Sequence, residues 1–397
     1  MAARTIHEAI GLHQLGRLAE AESIYLGLLR AQPADADALH YLGVLRMALG
    51  HRDHAIELLR RSLKAAPRNA DAWNNFGNIL LAVQDLAGAE IAYESATRFK
   101  PDFVAAWYNL ANLLRRQQRR DDAIRCYRRV LELNPRFPGA YEKIALLLQR
   151  LGRADLAGDA FRRWFEVEPG NPIARHMAAA YSRDEAPARA DDAFVVTMFD
   201  RFADTFDQAL TALNYAAPGT LAAALSEAIA FGEQKLIVLD AGCGTGWSGP
   251  LLRSSARRLV GVDLSAGMLA KAKQRQVYDE LHEAELVAFM RAHPGEYDVI
   301  FAADTLNYFG ALDEAIATAA TALRPDGVLA LTLEAEPADS AHRFQLHSHG
   351  RYSHGAAYLR EVVNAAALEL LQLEPGVLRK EAGADVPGHF VLARKRS

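Results

Sequence analysis

Proline returns every 34 residues along the first part of this chain, at Pro33, Pro67, Pro101, Pro135 and Pro169. Ala21, Ala55, Ala89, Ala123 and Ala157 keep the same period, each 12 residues before a proline. Trp73, Trp107 and Tyr141 share a phase, with Leu39 in the copy before them. Gly43 and Gly77 share another, continued by Ala111 and Ala145. A fixed period of this length marks a repeated unit that cannot bury its apolar face alone and must stack on its neighbours. Within one unit the pattern is two helices and a turn. The small residues let the helices approach, and the aromatics are expected to fill the gap between them. Proline ends the second helix because it lacks a donor and restricts the residue before it.

This pattern resembles the tetratricopeptide repeat, in five copies over about residues 2–170. The segment NPIARHMAAAYS (171–182) is expected to cap the array, giving an all-α solenoid over 1–181. The resemblance implies a concave groove lined by the first helix of each repeat. Asn75, Asn78, Asn109 and Asn112 fall on that helix in two successive repeats. Their amides suit an extended peptide backbone, or are simply frequent at such positions. From Arg115 to Arg163 the local charge is +7, with 12 Arg and one Lys against six acids. That is either a solvated outer face or a dock for an acidic partner. The expected partner is a protein, a peptide or a carrier-bound substrate in the groove, and self-association is the alternative use of the array. A net charge of −4 and the lack of regular aromatic interleaving speak against nucleic acid.

No stretch is apolar enough to span a bilayer, and MAARTIHEAIGLHQL lacks the apolar run of a signal peptide. Two cysteines far apart, Cys126 and Cys243, form neither a disulfide framework nor a zinc site and suit a reducing, cytoplasmic setting.

After a polar stretch, SRDEAPARADDAF, read as a linker over 182–194, the pattern changes. Met198, Phe199, Phe202, Phe206 and Leu210 fall at helical spacing. Then LIVLDAGCGTGW (236–247) runs as a short apolar strand into Asp240 and a glycine loop of Gly242, Cys243, Gly244 and Gly246, before a helix. Strand, glycine loop and helix open a doubly wound α/β domain. A dinucleotide site would place a third glycine at 247, where this chain has Trp247. The second strand, LVGVD, ends in Asp263, 23 residues after Asp240. A strand-end carboxylate there either takes both ribose hydroxyls or caps the next helix.

The D-x-G-x-G-x-G loop is similar to motif I of class I S-adenosylmethionine-dependent methyltransferases. The phrases MFDRFADTFDQAL, RYSHGAAYL and LRKEAGADVPGHFVLARK resemble bacterial methyltransferases that carry an N-terminal tetratricopeptide array. The resemblance implies a Rossmann-like, seven-stranded α/β domain over 195–397 and S-adenosyl-L-methionine as cofactor. Asp240, Gly242, Cys243, Gly244 and Gly246 would cradle it. Asp263 would hold its ribose, and Leu264 and Met268 would line the adenine pocket. Glu285 would meet the adenine amino group beside Leu286, in place of the more frequent Asp. Ala303 and Asp304 would face the transferred methyl group, and Phe199 and Phe206 would fold over the cofactor. The place after the fourth strand reads Ala-Asp-Thr-Leu-Asn-Tyr (303–308), without the paired prolines of nucleobase amino methyltransferases. An O or N acceptor fits better. A small-molecule enzyme and a scaffold that binds cofactor without turnover are the rival readings.

One feature lies outside the motifs: QLHSHGRYSH (345–354), three histidines in ten residues after the fifth strand. Loops at the carboxyl ends of parallel strands roof the site. His347, His349 and His354 are spaced for a metal, but few carboxylates accompany them in sequence, and most class I transfer needs none; no metal is expected. The remaining readings are a structural loop, or a base drawn from His354, Tyr352 or His349. Arg351 suits a substrate carboxylate.

Overall fold

The computed structural model describes residues 5–182, 186–229, 235–381 and 383–397. The chain divides into two compact units, Met1–Val167 and Glu168–Ser397.

The first unit is built of helix pairs: α1 (Ile6–Gln14) with α2 (Leu18–Ala31), α3 (Ala36–Ala48) with α4 (Arg52–Ala65), α5 (Ala70–Ala82) with α6 (Leu86–Phe99), α7 (Val104–Arg116) with α8 (Arg120–Leu133), and α9 (Pro138–Arg150) with α10 (Ala154–Val167). Each even-numbered helix stops two residues before a period proline. Asp35 and Asn69 then cap the next helix, accepting from the amides of Ala38 and Ala72.

The recurrent aromatics do a different job from the one expected. Trp73 Nε1 and Trp107 Nε1 donate to the carbonyls of Pro67 and Pro101 at 2.8 and 3.0 Å, and Tyr141 Oη to that of Pro135 at 3.2 Å. They lock the turn between repeats and stay part-exposed. The gap inside each pair is filled by another residue of the same period: Tyr25, Leu59, Tyr93, Tyr127 and Phe161, all fully buried. A Cβ on Gly77 would lie 2.5 Å from the Tyr93 ring, which explains the glycine. The phenols also bind the groove asparagines, Tyr93 to Asn78 Oδ1 at 2.8 Å and Tyr127 to Asn112 Oδ1 at 2.6 Å.

The second unit begins earlier than the sequence reading placed it. The expected cap, α11 (Pro172–Ala180), belongs here: His176 is buried, stacks on Phe194 at 3.9 Å between centroids and bonds the Gly350 carbonyl at 2.8 Å. Nor is the stretch expected as linker wholly free-standing. Arg189 bridges Phe309, and α12 (Asp192–Phe202) has already started within it. The helical run of phenylalanines splits into α12 and α13 (Phe206–Ala212), leaving Phe202 52% exposed rather than in a core.

After α14 (Ala217–Ala228) come β1 (Leu236–Ala241), α15 (Gly249–Arg253), β2 (Ala256–Asp263), α16 (Ala266–Gln274), β3 (Glu280–Glu283), α17 (Leu286–Ala292) and β4 (Tyr297–Ala302). A 3₁₀ turn (Leu306–Tyr308) leads to α18 (Asp313–Ala322) and β5 (Leu323–Ala335). There follow β6 (Phe344–Leu346), β7 (Tyr352–His354), α19 (Ala356–Ala365), β8 (Leu368–Glu381) and β9 (Ala384–Lys395). The strands β3-β2-β1-β4-β5 lie parallel in that order; β9 runs antiparallel on β5, and β8 on β9. Alternate residues face two cores: Leu239, Val262, Ile300 and Leu331 on one side, Val238, Leu259, Phe301 and Ala330 on the other.

Among the described residues the sheet has nine strands: those expected, and β6 and β7 at the histidine segment. They form a hairpin whose second strand extends the end of β5 through Glu334↔Ser353 and Ala335↔His354.

The tight packing at Gly77 gives a direct test. Gly77→Val should destabilise the protein by about 1–3 kcal/mol through overpacking against Tyr93, read as a fall in the denaturant midpoint.

Candidate active site

The sheet order reverses between β1 and β4, and a crevice opens there beyond the strand ends. It holds a cavity of about 240 Å³. Its floor is the glycine loop. Gly242 has φ +73° and touches Thr305, which leaves no room for a Cβ. Gly244 has φ +54° and open space where a Cβ would point. Asp263 Oδ2 accepts the Gly244 amide at 2.9 Å, and Oδ1 accepts the Ser265 amide at 2.9 Å. Burial pushes the Asp263 carboxyl up, and backbone N–H groups pull it back part of the way.

Beyond Asp263 the wall continues through Leu264 and Met268, then Glu285 and Leu286. Glu285 caps α17 through the Ala288 amide at 2.7 Å and takes Arg189 Nη1 at 2.7 Å on its other oxygen. The roof carries Phe199 and Phe206, centroids 5.8 Å apart, with Phe199 edge-on to Tyr308 at 5.4 Å. Three aspartates hold this roof down. Asp200 Oδ1 accepts Ser265 Oγ at 2.5 Å and the Gly267 amide at 3.1 Å. Asp204 pairs with Lys271 at 2.7 Å. Asp207 takes Thr245 Oγ1 at 2.5 Å and Arg275 at 2.6 Å.

The opposite end of the cavity is polar. Asp304, at the end of β4, has φ +56°, a left-handed state seldom kept without cause. Its amide donates to Thr332 Oγ1 at 2.9 Å and its carboxylate accepts Arg379 Nη1 at 2.9 Å. Arg379, 6% exposed, also donates to Glu381 at 2.8 Å and to Glu334. Arg351 donates through Nε to Glu334 at 2.5 Å and through Nη2 to Glu381 at 2.7 Å. Burial alone would raise Glu334, but the two guanidiniums hold it below its ordinary range. Burial raises Asp304 despite Arg379. Next to these groups the Asn307 amide is fully buried. Its Oδ1 accepts the Glu334 amide at 2.8 Å, while Nδ2 lacks a partner.

A methyltransferase-domain family model matches residues 238–327, and tetratricopeptide-repeat models match 42–102 and 104–137. The chain joins a methyltransferase domain to tetratricopeptide repeats. Among curated relatives, malonyl-acyl carrier protein O-methyltransferase of Enterobacter lignolyticus is 36% identical over 95 residues. Trans-aconitate 2-methyltransferase of Paracidovorax citrulli is 36% identical over 109 residues. The matches cover 24% and 27% of this chain, and 38% and 42% of those relatives' own lengths. The solved structure of MamA matches 41% of this chain and 95% of its own at 25% identity, with a TM-score of 0.38.

The methyltransferase match runs from β1 into β5, so Phe199, Phe206, Arg351 and Arg379 lie outside it although all four line the cavity. Cys243, Ala303 and the other positions expected for cofactor also line the cavity, apart from Asp240 and Gly246. Asp240 is 2% exposed behind the glycine loop, where its Oδ2 accepts Tyr278 Oη at 2.6 Å. Gly246, φ +79°, makes room for Tyr278 and Arg275. Their contribution to the methyltransferase domain is to shape the loop from below.

The histidine segment is placed differently from a catalytic loop. His354 is fully buried, with Nε2 donating to the Phe309 carbonyl at 2.8 Å; burial lowers its pKa to about 4. Tyr352 is fully buried and donates to the Pro187 carbonyl at 2.8 Å. His349 lies 3.4 Å from Glu334 and His347 3.2 Å from Glu336. Of this segment only Arg351 lines the cavity. None of His354, Tyr352 and His349, the residues expected to supply a base, lines the cavity, and the bonds of His354 and Tyr352 tie the hairpin to neighbouring segments. Among the described residues no group of three metal-ligating side chains is disposed to hold an ion, and no helix is long and apolar enough to cross a membrane. Asn307, Arg379 and the latch of Asp200, Asp204 and Asp207 escaped the sequence reading. The acidic spacing in DRFADTFD was the available signal for the latch.

Asp240 supplies a pH test. Its carboxyl is pushed up to about 7 by burial, with the Asp263 charge adding and the Tyr278 hydrogen bond opposing. A raised folded pKa stabilises fully below the unfolded value, and that contribution is lost as pH rises through about 7. The stability of wild type relative to Asp240→Asn should therefore fall between about pH 4 and pH 7, measured by urea unfolding across that range.

Proposed function

We propose that the second unit is an S-adenosylmethionine-dependent methyltransferase whose acceptor atom is a carboxylate oxygen, giving a methyl ester. The acceptor is carried on a protein, peptide or carrier brought by the repeats.

The cavity fits the cofactor. Gly244 leaves the space a side chain would fill, and each Asp263 oxygen, already taking one backbone N–H, keeps a lone pair for a ribose hydroxyl. Leu264, Met268 and Leu286 offer an apolar slot for a purine, with Phe199 and Phe206 closing above. Glu285 offers an acceptor at the slot's edge, shared with Arg189. When bound, S-adenosylmethionine supplies an activated methyl group that leaves in one in-line displacement. The chain's own task is to place the acceptor and exclude water.

The observation that carries the acceptor class is the Asn307 amide, a buried donor with no partner on the cavity wall. An orphaned buried donor costs about 1–3 kcal/mol, and an acceptor oxygen relieves that cost. The same cavity wall carries further donors, the Tyr215 and Tyr308 hydroxyls and the Arg351 guanidinium. The three carboxylates of the cluster are spent on fixing the two guanidiniums. No histidine lines the cavity among the described residues. An alcohol or ammonium acceptor must lose a proton, whereas a carboxylate is ionised at neutral pH and needs no base. Both curated relatives are named for carboxylic acids, one of them on a carrier protein, which supports the same reading.

The test uses methyl-labelled S-adenosylmethionine with trans-aconitate and a malonylated carrier protein as trial acceptors. Mild base should release the transferred label as methanol, as it does from an ester. Asn307→Ala should cut turnover at least roughly tenfold, the worth of a hydrogen bond to a charged group, with cofactor affinity unchanged. Base-stable label would contradict the carboxylate assignment.

A further inference from the structure

The first unit carries a second concave site, well away in sequence from the methyltransferase motifs. It is a groove between the ends of α5, α7 and α9, about 390 Å³ in volume. Four arginines line it: Arg115, Arg116, Arg120 and Arg150. No carboxylate does.

That lack of acid is local. Elsewhere in the same unit arginines sit on carboxylates: Arg46 on Glu22, Arg119 on Glu90 and Asp122, Arg129 on Glu132, Arg153 on Asp121, Arg163 on Glu166. Among the described residues, two of the groove arginines bond neutral amides. Arg116 donates to the Gln84 amide oxygen at 2.5 Å and Arg120 to that of Gln118 at 3.0 Å. Position at a helix C-terminus favours Arg115, Arg116 and Arg150. It does not explain why two successive repeats converge their cations on one hollow, nor why acids are excluded from it.

The floor between the charges is apolar, made by Leu81, Leu113 and Leu147. At its side lies Asn112, whose Oδ1 is occupied by Tyr127 Oη at 2.6 Å. That bond orients the amide so that Nδ2 is the group left to donate. An amide donor suits a peptide carbonyl, guanidiniums suit carboxylates in bidentate fashion, and leucines suit a side chain between them. The groove has no aromatic ring on which a base could stack.

We infer that this groove binds an extended acidic peptide segment, its carboxylates on Arg116 and Arg150 and its backbone on Asn112. This rests on the recruitment half of the proposed function and gives it a chemistry: the protein or carrier that delivers the methyl acceptor is recognised by an acidic stretch.

The test is binding by the full chain, without cofactor or turnover, so its failure leaves the methyl-transfer reading standing. A fluorescent ten-residue peptide of alternating Glu and Leu is titrated by anisotropy against the Gln–Leu counterpart and a single-stranded oligonucleotide of equal charge. The acidic peptide should bind best, less tightly as salt rises. The pair Arg116→Gln with Arg150→Gln should weaken it at least tenfold, and Asn112→Ala several-fold. Arg162→Gln with Arg163→Gln, which removes equal charge outside the groove, should change it less than twofold. Circular dichroism confirms that each variant is folded. No preference for the acidic peptide, an equal loss in the control pair, or tighter binding of the oligonucleotide would each overturn the inference.

Discussion

One hydrogen bond, from the Gly244 amide to Asp263 Oδ2, ties the glycine loop after β1 to the end of β2. Parallel pairing already sets these strand ends side by side, Ala241 opposite Val262. The bond then fixes a loop with three glycines at positive φ into one shape. It also keeps a carboxylate, raised by burial, at the mouth of the crevice rather than in water. The rest of the site is arranged around that pair. Met268 follows from the helix that Ser265 caps, and the roof of α12 and α13 is fastened to Ser265, Gly267 and Thr245 by Asp200 and Asp207. Residues beside the floor therefore also hold the roof.

The polar end obeys a different constraint. Two arginines and three carboxylates packed together in the interior would be costly if any were left alone. Here Arg379 is held on three sides, and Arg351 bridges the same two glutamates. The hairpin of β6 and β7 is what delivers Arg351: its His354 anchors β7 to the 3₁₀ turn region, and His176 of α11 receives the tip at Gly350. A segment rich in chemistry-bearing side chains thus contributes one charged group to the cavity and spends the others on holding it there.

Much of this was legible in the sequence because its causes are local. A 34-residue period announces stacked helix pairs, and a glycine loop between a strand and a helix announces the crevice. Asp263 could be read from its place at a strand end, and the cavity wall at Phe199, Phe206, Glu285 and Asp304 followed from the resemblance. What could not be read depends on contacts far apart in the chain. Asp240 and Gly246 look like ligands in the motif, yet Tyr278 claims the space beneath them. His354 looks catalytic in sequence, yet its Nε2 is bonded to the Phe309 carbonyl, and His347 and His349 sit on Glu336 and Glu334 outside the cavity lining. Arg379 meets Asp304 across 75 positions, a distance at which no spacing rule operates. The division at Glu168 has the same cause: α11 reads as the cap of the repeats until Phe194 and Gly350 are seen to hold His176.

The claim on which the account turns is that the crevice above Asp263 takes S-adenosylmethionine. Titration calorimetry with wild type and Asp263→Asn tests it most directly, since asparagine keeps one acceptor oxygen but loses the charge and the bidentate contact. Micromolar binding by wild type, weakened on the order of tenfold or more in the variant as expected for a contact worth about 1.5–3 kcal/mol, is the predicted result. Folded wild-type protein that takes up no heat with the cofactor, or a variant that binds as tightly as wild type, would contradict it.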